Sequence, residues 1–173
     1  AQNNIFDADA DQTSTNAVVE GYSINTIAEF GVIGSLSRNL RIDTNGGVLD
    51  ADAQRGKIRI IEVNSNGGIE NDDDDVRIHR VGTGAEFTAF ITSMAGRILN
   101  GALVGVSNIT GGRGFLTANK DIGTSDKRLF TTIGSLQGIS TTGSAYIFND
   151  GEITTETEDG TNMAFKVATD FFL

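Results

Sequence analysis

Apolar residues come in short bursts along this chain, and within many bursts they alternate with polar ones. Tyr22-x-Ile24, Leu40-x-Ile42, Ile58-x-Ile60, Val76-x-Ile78, Phe87-x-Ala89 and Ala145-x-Ile147 all step by two, the period of a strand with one buried face. Between the bursts stand Asn45-Gly46-Gly47, Asn66-Gly67-Gly68, Gly111-Gly112-Arg113-Gly114, Gly143 and Asn149-Asp150-Gly151. Gly and Asn tolerate positive φ, so these read as tight turns. The best helical candidate runs from Ile91 to Val106, where Met94, Ile98 and Leu99 could share a face. Gly96, Gly101 and Gly105 interrupt it, each costing about 1 kcal/mol against Ala in a helix, so the segment reads as strand and turn. The pattern divides the chain into a polar arm or cap over 1–17, strands over 18–155, and a strand-like tail over 156–173.

Some segments echo one another. Ile33-Gly34-Ser35 leads to Leu40 at the same offset as Ile122-Gly123-Thr124 leads to Leu129. Asn45-Gly46-Gly47-Val48 returns as Asn66-Gly67-Gly68-Ile69, and Phe87-Thr88-Ala89 as Leu116-Thr117-Ala118. A sandwich or barrel would show longer strands without distant self-similarity. Similar coils with recurring turn residues instead predict an all-β parallel solenoid, with coils of about 20 residues. Its expected interior is Ile33, Leu40, Ile58, Ile60, Ile78, Ile98, Leu116, Ile122, Leu129, Leu136 and Ile147.

Ile33-Gly34 to Asp43-Thr44, then Asn45-Gly46-Gly47-Val48-Leu49 and Gly56-Lys57-Ile58-Arg59-Ile60, resembles the repeat unit of large bacterial exoproteins of the filamentous haemagglutinin and autotransporter-adhesin type. Phe115-Leu116-Thr117-Ala118, Asp121-Ile122-Gly123-Thr124, Ile133-Gly134-Ser135-Leu136 and Asn149-Asp150-Gly151 look similar. The resemblance covers roughly residues 20–155. It implies a right-handed parallel β-helix, export, and a role at or beyond the cell surface, and it brings no catalytic residues with it.

Composition narrows the function. The 173 residues contain no Pro, Cys or Trp, and the formal charge is −10 with a pI near 4.4. A chain without Pro suits a structure whose ladders are paired on both sides. Without Cys there is no disulfide framework or thiolate metal site. The acidic balance argues against nucleic acid, which selects a basic face, and against an anionic membrane. No apolar run is long enough for a membrane helix. The start at Ala1-Gln2 fits a mature secreted chain and equally a fragment.

Candidate chemistry is sparse. His79 is the single histidine, which excludes multi-His zinc sites and His/Cys catalysis, and it is expected to face solvent. Asp7-x-Asp9-x-Asp11 has the spacing that opens an EF-hand loop, but Gln12 and Val18 stand where that loop needs Gly and a bidentate acid. Asp72, Asp73, Asp74 and Asp75 form a run expected in a solvent loop. It reads either as solvated charge or as oxygen ligands for calcium, and no cofactor is otherwise required. Asn108-Ile109-Thr110 matches a glycosylation sequon. Ile5, Phe6, Phe165, Val167, Phe171, Phe172 and Leu173 are candidates for end-to-end self-association, by adding a strand to a neighbour's open edge, or for capping the chain's own last coil. The expected function is that of a non-enzymatic extracellular or cell-surface element, either a segment of a surface adhesin or a fibre subunit, with a cell-surface or carbohydrate ligand. The alternative is a β-helical polysaccharide-processing enzyme or carbohydrate-binding module.

Overall fold

The computed structural model describes residues 4–8, 16–63, 74–154, 165–167 and 170–173. Thirteen β-strands follow in chain order: β1 (Val19–Glu20), β2 (Ser23–Ile27), β3 (Leu40–Asp43), β4 (Val48–Ala53), β5 (Ile58–Glu62), β6 (Val76–Thr83), β7 (Thr88–Ser93), β8 (Ile98–Asn100), β9 (Ile109–Ala118), β10 (Leu129–Ser140), β11 (Ala145–Asn149), β12 (Phe165–Val167) and β13 (Phe171–Phe172). Every pairing between named strands is parallel. The Ile91 to Val106 segment is strand and turn, as its glycines imply.

The expected solenoid, a right-handed parallel β-helix with coils of about 20 residues, is corrected here. The strands join into a single 13-stranded sheet that curls through 309° and comes close to closing as a barrel. Two observations explain the difference. Hydrogen bonding passes from one ladder to the next, because β6 pairs with β4, β8 and β9, and β10 pairs with β9, β11 and β12. The spacing between partners also varies: Ile58 pairs with Ala89, whereas Leu129 pairs with Ile147. The echoes in the sequence therefore do not amount to a regular repeat of stacked coils. Gly111-Gly112-Arg113-Gly114, which reads as a turn, lies inside β9, where long ladders to β7 and β10 hold it extended.

The core follows from the alternation. Inward residues pair in register across the sheet, as in Ile24, Leu49 and Ile78, Leu40, Ile60, Ile91 and Leu116, and Val76, Ile98, Ile122 and Ala145. All eleven residues expected inside are buried. Each buried Ile or Leu contributes about 1.5–3 kcal/mol, so the aligned rows supply the main cohesion of the sheet.

Candidate functional site

Two Ile-Gly turns organise the surface, and they are built alike. Ile33 and Ile122 are fully buried. Each is a bridge residue between neighbouring strands, Ile33 between Ile5 and Ile58, and Ile122 between Ile98 and Ala145. Gly34 (φ 68°) and Gly123 (φ 70°) then turn the chain through the left-handed region, which glycine enters without a Cβ penalty. Their N–H groups donate to Ile5 O and Ile98 O, each at 2.7 Å. In the next step a hydroxyl closes the turn. Arg38 N–H donates to Ser35 Oγ at 3.1 Å, and Lys127 N–H donates to Thr124 Oγ1 at 3.0 Å. Leu40 and Leu129 re-enter the core.

What covers the two turns differs. At the first, the arm of residues 4–8 lies along the sheet. Ile5 N–H donates to Val32 O, and Val32 N–H donates to Asn4 Oδ1. Asp7 then meets Arg41 at 2.6 Å, with side chains only 0% and 1% exposed. At the second turn the strand in Ile5's place is β8, and Asn100 stands where Asp7 does. Asn100 Nδ2 donates to Arg128 O, and Asn100 Oδ1 accepts from Ala102 N–H. The counterpart of Arg41 is Phe130, whose ring lies 4.9 Å from that of Phe148. An open groove of about 290 Å³ results, lined by Val104, Asp126, Lys127, Arg128, Phe130 and Phe148 among others. Leu103 and Val104 beside it are 78% and 97% exposed. Neither Lys127 nor Arg128 forms an ion pair among the described residues, whereas Arg41, Arg80 and Arg97 do.

A second unusual group is buried on β5, next to the first turn. Glu62 Oε1 accepts from Thr44 N–H at 2.8 Å and Thr44 Oγ1 at 3.1 Å, while Oε2 is buried with no partner. Burial pushes its carboxyl from the ordinary 4.5 up to about 8. The Thr44 hydrogen bonds oppose that rise, and nearby Asp43 and Asp74 add to it.

The residues singled out in the sequence do not converge on one site. Asp72 and Asp73, and Asp9 and Asp11, lie outside the described residues. Asp74 and Asp75 are buried, although the sequence places the run in a solvent loop. Asp75 accepts from the backbone and guanidinium N–H groups of Arg97. Among the described residues no group of three His, Asp or Glu side chains could hold a metal ion. His79 is exposed, with Nδ1 2.8 Å from Asp50 Oδ1. Asn108 is fully buried, and its amide is committed to Ile78 O, Asn100 Oδ1 and Phe130 N–H, so the sequon is closed in the folded chain. Of the self-association candidates, Ile5 bridges to Ile33 and packs on the core. Phe165 and Val167 lie on β12, which pairs with β10, and Phe171 and Phe172 on β13, which pairs with β11. These segments therefore pair within their own chain, while Phe6, Phe172 and Leu173 stay substantially exposed. The groove residues were missed in the sequence. Their one signal was Lys127-Arg128, the single adjacent Lys/Arg pair in the chain. No family model, curated protein or solved structure matches the chain.

Proposed function

We propose that the chain is an extracellular adhesive and structural module, and that it makes contact through the surface around the Ile122 turn. The observation that carries this reading is the exposed Leu103-Val104 tip beside the Phe130–Phe148 groove. Contiguous exposed apolar surface of this kind marks interaction sites, and here a wide sheet with a continuous core holds it in place. The extracellular setting is carried over from the sequence expectation of an exported chain, and retention on cells tests it. Beads carrying the chain, or its Leu103→Ser/Val104→Ser variant, are to be compared for retention on cell and polysaccharide surfaces under flow. The variant is expected to lose most of the retention. Equal retention would remove the adhesive reading.

A fibre subunit is the second reading, and the direction of the strands favours it. β1 and β2 at one margin and β12 and β13 at the other each have a single strand partner. In an all-parallel sheet, one margin of a chain matches the direction of the opposite margin of the next, and such a head-to-tail contact extends without closing. Sedimentation over a wide concentration range tests it, since a fibre subunit grows with concentration and a monomer throughout would end it.

A further inference from the structure

We propose that the groove beside the Ile122 turn binds carboxylate-bearing saccharides, the ring lying against Phe148 and Phe130 and the carboxylate meeting Lys127 and Arg128. The proposal rests on the adhesive reading of this surface and names its ligand class. Three observations lead to it. First, the two cations are neighbours without ion pairs among the described residues, in a chain of net charge −10. A local positive rim on an acidic protein concentrates small anions and leaves the rest of the surface repelling them. Arg offers a planar fork for a carboxylate and Lys a point charge. Second, Phe148 is 42% exposed and its ring lies 4.9 Å from that of Phe130, tilted by 41°, so the groove has an aromatic wall. The carbon-bound hydrogens of a pyranose suit such a wall. Third, about 290 Å³ is at the small end of ligand clefts and suits one or two sugar rings. The groove is partly open to solvent, which leaves a saccharide room to enter.

The first turn supplies the contrast. In the place of Phe130 it has Arg41, neutralised by Asp7 and buried, and the cleft beside that turn, of about 350 Å³, is lined by Leu36, Lys57 and Arg59 with no aromatic ring. At the second turn the cations stand beside the Phe130–Phe148 pair, which gives a saccharide ring a wall next to the charge. Asp126 also lines the groove and accepts from Ser125 Oγ at 3.4 Å. It opposes a carboxylate and gives the proposal a residue of opposite sign.

Calorimetry with short oligogalacturonates tests the assignment, with their neutral methyl esters and poly-glutamate as controls. Oligogalacturonate is expected to bind, and its methyl ester to bind about tenfold more weakly, the usual cost of losing a charge-assisted hydrogen bond. Lys127→Gln and Arg128→Gln are each expected to weaken binding about five- to tenfold. Phe148→Ala should weaken acid and ester alike, and Asp126→Asn should strengthen binding of the acid alone. No binding of oligogalacturonate overturns the proposal, and so does equal binding of poly-glutamate, which would make the groove a general anion surface. Melting temperatures check the folding of each variant. Should Phe148→Ala not fold, the exposed Lys127→Gln/Arg128→Gln pair and the perturbation of Val104 methyl signals on titration decide. If no saccharide binds while adhesion still depends on Leu103 and Val104, the ligand assignment fails and the adhesive reading stands.

Discussion

The two Ile-Gly turns share a backbone and differ in what they bury. Residue by residue, Ile33 answers to Ile122, Gly34 to Gly123, Ser35 to Thr124 and Leu40 to Leu129, with matching hydrogen bonds at each step. Around this frame the first region places acidic and basic side chains inside, with Asp7 against Arg41 and Glu62 on β5. The second places amides and aromatics at the corresponding positions, namely Asn100, Phe130 and Asn149. Glu62 and Asn149 make the point most directly. Each accepts from the backbone N–H two residues beyond its strand partner, Thr44 for Glu62 and Ile133 for Asn149. The Asn149 amide also donates to Ile133 O and Gly151 O. The Glu62 carboxylate has nothing to donate when ionised, and its Oε2 is left alone. The turn chemistry thus fixes the path of the chain, and the neighbouring side chains decide what lines the cleft beside it.

The largest expected effect tests whether the frames are equivalent. A Cβ on Gly34 would sit 2.1 Å from Arg59 O, and one on Gly123 2.2 Å from Tyr146 O, both at positive φ. Gly34→Ala and Gly123→Ala should each cost on the order of 4 kcal/mol, in the range reserved for backbone strain and steric conflict. Urea unfolding of the two variants should give similar losses. A large gap between them would break the equivalence.

Removing a buried charge should separate the regions. Asp7→Ala leaves Arg41 buried without its carboxylate and should cost about 3 kcal/mol. Asn100→Ala removes an amide and should cost less, about 1–2 kcal/mol for its lost hydrogen bonds. Equal losses by thermal melting would mean that Asp7 does not hold the buried Arg41 as described.

Glu62 gives the first region a pH dependence that Asn149 cannot give the second. In the unfolded chain the carboxyl ionises near 4.5, while in the folded chain it holds its proton up to about 8. The folded state then binds more protons between those values. Stability therefore falls as pH rises through this window, by at most about 1.4 kcal/mol per pH unit, and levels off above it. Glu62→Gln should flatten this part of the profile and raise stability at pH 8. An unchanged slope would show that Glu62 ionises normally.

The smallest effect concerns the hydroxyls. Ser35→Ala and Thr124→Ala each remove one side-chain acceptor in an exposed turn, worth about 0.5–1 kcal/mol. Similar small shifts in melting temperature would sharpen the match between the two turns.

Much of this was legible in the chain. Alternation located six of the thirteen strands, and the interior expected from the sequence is buried throughout, because period-two burial is a local property. The matching Ile-Gly segments also declared themselves, since positive φ and an adjacent hydroxyl are local demands. The groove was not legible. Phe130 and Phe148 are ordinary strand aromatics until β10 and β11 pair them, and Lys127-Arg128 gains meaning only beside those rings. Nor could the sequence show that Asp7 and Asp75 would each be buried against an arginine far along the chain.

The sequence by itself determined an all-β chain, its strand-and-turn punctuation, its core residues and its acidic surface, because each follows from periodicity, φ preference or charge within a few residues. Only the tertiary structure decided that the ladders merge through β6, β9 and β10 into one sheet curling through 309°. It also decided that the cleft at the first Ile-Gly turn is lined by Leu36, Lys57 and Arg59 and the one at the second by Phe130 and Phe148. Those outcomes depend on which distant strands share hydrogen bonds and on which side chains the curl brings face to face. Similar local segments can carry the same turn and still end in different surroundings.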